Sequence, residues 1–193
     1  MRAGLAVGLL SALLVARVQA ADFTTHDEWE VRARTPALLA VILAYDQTCD
    51  HGCRYRAPHV ARTAILDHER RPDSFYVWTL VEDVERSAWF SHVSVVRRAR
   101  TVQVDVRMVA PEKVRELEAA SGERSDPAFD AALATYVLEE TFADGRFVAT
   151  RISFRNSVGA SGLAGFLGGG LIRRRMDEAQ DAVYANLRAA PSP

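Results

Sequence analysis

The sequence predicts an α+β domain whose curved antiparallel sheet grips one long C-terminal helix. Three observations carry this. Ala143-Asp144-Gly145-Arg146 sets Asp-Gly between two alternating segments, the strongest short-range hairpin signal. On the second segment Val148, Thr150, Ile152 and Phe154 share one face, while Arg151, Ser153 and Arg155 share the other. Ile172, Met176, Ala179 and Val183 then follow at helical spacing and form an apolar stripe. A hairpin that delivers a helix across a sheet can enclose a cavity beneath that helix.

The first twenty residues are set aside. Arg2 gives a positive start, Ala3 to Ala16 form a small and apolar run, and Val18-Gln19-Ala20 resembles a small-x-small cleavage site. The run is shorter than the roughly 20 residues of a spanning helix, so a signal peptide over residues 1–20 is expected rather than an anchor. The mature chain, residues 21–193, is then a single exported domain, periplasmic or extracellular. Removing Arg2 and Arg17 from the 24 basic residues leaves 22 against 25 acids, a net charge of −3. That balance argues against a nucleic-acid partner.

Glu28 to Arg34 reads as a first strand, with Trp29, Val31 and Ala33 alternating against charge. Thr35-Pro36 predicts a helix start, with Thr35 as N-cap and Pro36 in the first turn. Leu38, Leu39, Ile42 and Leu43 carry that helix to about Asp46. Cys49 to Pro58 is a polar loop. Val60–Leu66, Phe75–Val81, Trp89–Arg98 and Thr101–Val109 are strands. In the last, Val102, Val104, Val106 and Met108 oppose Gln103, Asp105 and Arg107. Pro111 to Ala119 suits a short helix, Ser121 to Pro127 a loop, and strand resumes by Tyr136.

Cys49 and Cys53 flank Asp50-His51-Gly52. In an exported chain such a close pair most simply forms a disulfide. A structural zinc site needs four protein ligands; Cys49, Cys53 and His51 supply three, and His59 is not at a recognised spacing. A free thiol pair is the remaining alternative. No Gly-x-Ser-x-Gly, His-Glu-x-x-His or Gly-rich phosphate loop occurs. Glu139 and Glu140 are strand neighbours and face opposite ways. No metal, cofactor or catalytic residue is therefore assigned.

The segment Val158 to Ile172 has no charge and six glycines. Glycine inside a helix costs about 1 kcal/mol relative to alanine, so Gly168, Gly169 and Gly170 either lie in a loop or serve a purpose. Room for a ligand beside Phe166 and Gly169, close approach to the sheet, or transient membrane contact would each be one. Arg173-Arg174-Arg175 has Asp177, Glu178 and Asp181 as partners within two turns, which fits a solvated helix face.

The element order resembles the START-like superfamily, the helix-grip group that includes START lipid-transfer domains and polyketide cyclases. Thr35 to Asp46 looks like that family's first helix and closing turn. Pro58 with the strand Val60–Leu66, and the hairpin, loop and helix from Tyr136 to Leu187, also fit. The resemblance covers nearly the whole mature chain in pattern rather than in strict motifs. It implies a deep cavity between sheet and C-terminal helix that takes a hydrophobic small molecule or lipid. The lining expected is Trp78 or Val77, Val104, Val106, Met108, Thr150, Ile152, Phe154, Phe166 and Gly169, with Tyr136, Thr150 and Arg107 as polar candidates. A non-enzymatic carrier is the leading reading. A polyketide cyclase-like enzyme and an interaction module with a filled core are the alternatives.

Overall fold

The structure, a computed structural model, describes residues 21–160 and 168–192. Its strands are β1 (Ala21–Val31), β2 (Thr48–Cys49), β3 (Tyr55–Arg56), β4 (Val60–Arg71), β5 (Ser74–Glu82), β6 (Arg86–Arg97), β7 (Thr101–Met108), β8 (Ala131–Ala143) and β9 (Arg146–Ala160). The helices are α1 (Thr35–Ile42), α2 (Pro111–Ser121) and α3 (Gly169–Arg188), with a 3-10 turn at Tyr45–Gln47. Seven strands form one antiparallel sheet in the order β1-β9-β8-β7-β6-β5-β4. From β4 onward the strands form a meander, and β1 is added last, along β9. The short β2 and β3 pair separately and in parallel.

The Asp-Gly turn closes as expected. Asp144 and Gly145 have φ of 50° and 74°, and Ala143 pairs with Arg146 across them. Positive φ at both central residues twists the turn to match the strands. Just beyond it, Thr141 pairs with Ala149 while Phe142 pairs with Phe147, which leaves Val148 as the extra residue of a bulge. Val148 is consequently exposed rather than sharing the face of Thr150, Ile152 and Phe154. Strict alternation fails there because one inserted residue resets the parity.

The sheet has two covered faces. On the gripping face, Val31, Leu138 and Ile152 pack with Leu38 and Val41 of α1 and Leu187 of α3. Phe75, Val77, Val93, Val95 and Val104 pack with Leu39 of α1. Phe23 and Ala160 receive Met176 and Ile172 near the start of α3. On the opposite face Leu66, Trp78, Leu80, Ala88, Phe90 and Val109 pack with Leu117 and Val114 of α2. Strands β5 and β6 are thus buried on both sides, and their residues lose the wet face that would mark a direction.

Two helix details differ from expectation. Helix α1 begins at Thr35, with Arg34 in the extended cap position and no side-chain cap of its own. Glu140 of β8 supplies the acceptor instead: Thr35 N–H donates to its Oε1 at 3.0 Å, and Arg34 Nη1 donates to Oε2 at 2.9 Å. Burial alone would raise the Glu140 pKa, but these donors outweigh it and hold the carboxylate below its usual range. Helix α1 also stops at Ile42 rather than Asp46. β1 starts at Ala21, seven residues before the expected Glu28.

Candidate functional site

Helix α3 crosses the gripping face with its apolar stripe inward. Ile172 and Met176 meet Phe23, whereas Ala179 and Val183 turn towards a partly open space. That space is a cavity of about 200 Å3 bounded by four walls. Val41, Ile42 and Tyr45 come from α1 and the turn after it, and Tyr136 comes from β8. Tyr55 to Pro58 form a cover, and Ala179, Val183, Asn186 and Leu187 form the remaining wall from α3, leaving the space partly open.

The lining is apolar except for the phenols of Tyr45, Tyr55 and Tyr136, the Asn186 amide, Thr48 and Arg56. Tyr45 and Tyr136 lie deep in the protein but keep accessible surface, because that surface is cavity wall. Burial pushes both phenol pKa values well up, and for Tyr45 the neighbouring Tyr136 adds to it. Both are therefore neutral O–H donors across the physiological range. Neither has a hydrogen-bond partner among the described residues. Two open donors beside an apolar wall suit the polar end of an apolar guest.

The cover is braced at three places. Cys49 and Cys53 are disulfide-bonded, with their Cα atoms 5.5 Å apart. This leaves no thiolate for a metal at the loop. Asn186 clamps the other end: Arg56 N–H donates to its Oδ1 at 3.2 Å, and its Nδ2 donates to Arg56 O at 2.8 Å. Asp50 accepts the His59 N–H at 3.0 Å, which holds its carboxylate below the usual range and fixes His59 at φ 64°. Reduction of the disulfide should release the cover at modest cost. The enclosed loop is very short, so the loss is about 2 kcal/mol, read as a lower denaturation midpoint in reductant. An unchanged midpoint would count against the brace.

His59 joins a charged latch at the opposite rim. Its Nε2 lies 3.0 Å from Glu178 Oε2 and its Nδ1 3.7 Å from Asp83. Arg175 bridges the same two carboxylates, with Nη1 2.6 Å from Glu178 and Nη2 2.8 Å from Asp83. The latch ties α3 to the β5–β6 turn. Arg175, His59 and Arg174 together hold Glu178 down to about 2, against 4.5 for a free glutamate. A carboxylate depressed by folding stabilises the fold fully above pH 4.5 and loses that contribution as pH falls through 2. Glu178→Gln should therefore flatten the acid limb of stability between those values while leaving neutral stability lower. An unaltered acid limb in pH-dependent thermal melts would refute this.

The sequence-expected site residues divide. Tyr136 lines the cavity. Val104, Ile152 and Phe154 do face the gripping side, but as solid core: Phe154 stacks on Trp29 at 5.4 Å and lies 4.7 Å from Tyr136. Val106 packs beside them. Thr150 is fully buried and donates to Ala33 O at 2.7 Å, a structural bond rather than a ligand anchor. Met108 borders a groove by α2. Trp78 sits on the opposite face, its Nε1 donating to Arg124 O at 2.8 Å, and Val77 is the inward residue. Arg107 is exposed on that opposite face too. Gly169 faces Phe23 rather than the cavity. Phe166 lies outside the described residues, as do residues 1–20 and residues 161–167 of the glycine stretch. Arg174 and Arg175 pair with Glu178 as expected, while Arg173 lies over the Phe23 ring at 5.6 Å. Tyr45, Asn186, His59 and Asp83 were not anticipated, since each is brought in from a loop or helix end without a spacing signal.

Among the described residues one cluster has metal-ligand geometry, His68, Glu69 and Glu116. Lys113 Nζ lies 2.7 Å from Glu116 and 3.2 Å from Glu69, so the protein supplies its own cation there. No described helix is long and apolar enough to cross a membrane.

No protein-family model matches the chain, and no curated protein matches it by sequence. Solved structures do. Human STARD10 is similar over 85% of this chain and 62% of its own, at 10% identity and a TM-score of 0.55. The Zhui aromatase/cyclase from Streptomyces sp. R1128 is similar over 86% of this chain and 94% of its own, at 13% identity and a TM-score of 0.53. The di-domain ARO/CYC StfQ from the steffimycin biosynthetic pathway matches 88% of this chain at 13% identity and a TM-score of 0.51, and this chain spans half of its length. At such identities the shared property is the backbone arrangement: an antiparallel sheet closed by a C-terminal helix. The chain therefore has the START-like helix-grip fold.

Proposed function

We propose that the chain is an exported carrier of a small apolar molecule, held beneath α3 with its polar end towards Tyr45 and Tyr136. The cavity with two unpartnered phenols is the observation that supports it most. At about 200 Å3 the space is smaller than the ~300–1,000 Å3 of drug-sized sites, which suits a small guest or one chain of a larger lipid. Export rests on the pattern of residues 1–20 and is supported by the disulfide, which oxidising compartments favour. Because β1 starts at Ala21, processing after Ala20 would leave the sheet whole.

Ala179 supplies the test, since it lines the cavity from α3 and is neither charged nor hydrogen-bonded through its side chain. Ala179→Trp should fill the space and lower uptake of a fluorescent fatty acid at least tenfold, with the fold retained by circular dichroism. Native mass spectrometry of the wild-type protein should show a co-purifying apolar species. If the wild-type protein neither takes up such probes nor carries extractable lipid, the carrier reading fails. An enzyme resembling the polyketide cyclases is the second reading, favoured by the same phenols, which could steer protons on a bound chain. They would act as donors, because burial keeps them protonated.

A further inference from the structure

The unpaired charges of this near-neutral chain are unevenly distributed along the strands. At one end lie the β4–β5, β6–β7 and β8–β9 turns and the β1–α1 connection. Arg32, Arg71, Arg98, Arg100 and Arg146 converge there, all exposed, and none has a carboxylate within ion-pair distance among the described residues. Arg34 and Arg97 of the same end are paired, to Glu140 and Asp73. The acids left unpaired at this end are Glu139 and Asp144, so it is net positive. The opposite end, around the β5–β6 turn and the start of β1, presents the acids Asp22, Glu85, Asp126 and Asp130 beside Arg107, Arg155 and Arg173, all exposed and without an ion-pair partner among the described residues. The unpaired basic excess is thus concentrated at one end of the strands, while unpaired charges of both signs are interspersed at the other.

The basic end is also the end with exposed aromatic surface. Phe142 is 56% exposed, Val148 48% and Val96 of β6 43%, three exposed apolar side chains at this end, whereas the opposite turn exposes Val84 with no exposed aromatic beside it among the described residues. The Arg34 guanidinium lies over the Phe147 ring at 4.2 Å and the Phe142 ring at 5.6 Å, which holds both rings at the tip. The bulge at Val148 turns that side chain out at the same place. Arg98, Arg100 and Phe142 border one shallow depression between the two turns, which Glu139 and the Arg34-paired Glu140 also line.

We infer that this end docks on an anionic phospholipid surface, with Phe142 and Val148 entering the headgroup layer and the unpaired arginines binding lipid phosphates. Arginine around exposed aromatic and aliphatic tips is the composition of an interfacial contact. A nucleic acid would be met by the same arginines, but Val148 and the Phe142 edge would stay in water. The opposite end mixes unpaired acids with arginines and has no such basic excess, so the charge distribution favours one orientation. This site lies on different turns from the Arg173–Arg175 segment, and the inference does not depend on the cavity being occupied.

The experiment is co-sedimentation of the full chain with phosphatidylcholine vesicles, with and without phosphatidylglycerol. Binding is expected with phosphatidylglycerol, weakening as salt is raised. Arg98→Gln, Arg100→Gln and Arg146→Gln should each reduce partitioning about fivefold. Phe142→Ser should reduce it about tenfold or more. Arg173→Gln, at the far end, should leave it unchanged. These side chains are exposed, and thermal melts establish that each variant is folded. Partitioning independent of phosphatidylglycerol, or unaffected by all three arginine variants, overturns the inference. So does binding to duplex DNA at the same salt with none to vesicles. Vesicle binding without probe uptake retains this inference and removes the carrier reading; uptake without vesicle binding does the reverse.

Discussion

Leu187→Ala is expected to destabilise the protein by about 2–5 kcal/mol. Leu187 is 1% exposed and is where α3 meets both α1 and the sheet, against Val31, Leu38, Leu138 and Ile152. Truncation there removes apolar contact from several elements at once, and the cover of the helix cannot collapse inward because β8 and β9 are rigid beneath it. For a chain of this size the change corresponds to a fall in Tm of about 10 °C. The same residue lines the cavity. The variant should therefore also gain void volume and bind bulkier apolar probes relative to small ones. Urea unfolding with an unchanged slope and a lower midpoint would register the stability loss. A loss below about 1 kcal/mol would mean that α3 is held by its latch and not by this contact.

Gly169→Leu should cost about 1–3 kcal/mol by overpacking, with uptake of the fatty-acid probe intact. A Cβ at Gly169 would already stand 3.3 Å from Cε1 and Cζ of Phe23, itself buried at 6% exposure among Ala160 and Met176. There is no room for three further carbons unless α3 or β1 shifts. The sequence reading considered room for a ligand at this position; the structure points to close approach of helix and strand instead. Thermal stability and probe affinity, measured together, discriminate. Lost affinity at unchanged stability would restore the ligand role.

The sequence and the structure agree where a signal is local. The Asp-Gly turn is legible because positive φ at two consecutive residues leaves few residue choices. The α3 stripe is legible because one face of that helix is wet and the other dry, and all four stripe residues do point inward. The face of β7 and β9 holding Val104 and Ile152 is legible for the same reason. The failures occur where this contrast vanishes. Trp78 and Val77 alternate within β5, but α2 covers one face and α1 the other, so both are buried and nothing in the strand itself says which is which. Val148 broke its pattern because a bulge is a one-residue event that alternation cannot register. Thr35 looked like an N-cap by type, yet the acceptor came from Glu140, 105 residues away.

The chain by itself determined the hairpin, the amphipathic last helix, the antiparallel order between them and the close cysteine pair, because each depends on neighbours in sequence or on a simple period. Tertiary structure alone decided the site. The cavity draws one wall each from α1, the cover, β8 and α3. Its phenols, its Asn186 clamp and its His59–Glu178 latch meet across separations no spacing encodes. Whether an apolar face is packed solid or left hollow depends on how far a helix stands from a sheet, and that distance is set by the contacts at Phe23 and Leu187 rather than by the residues that line the space.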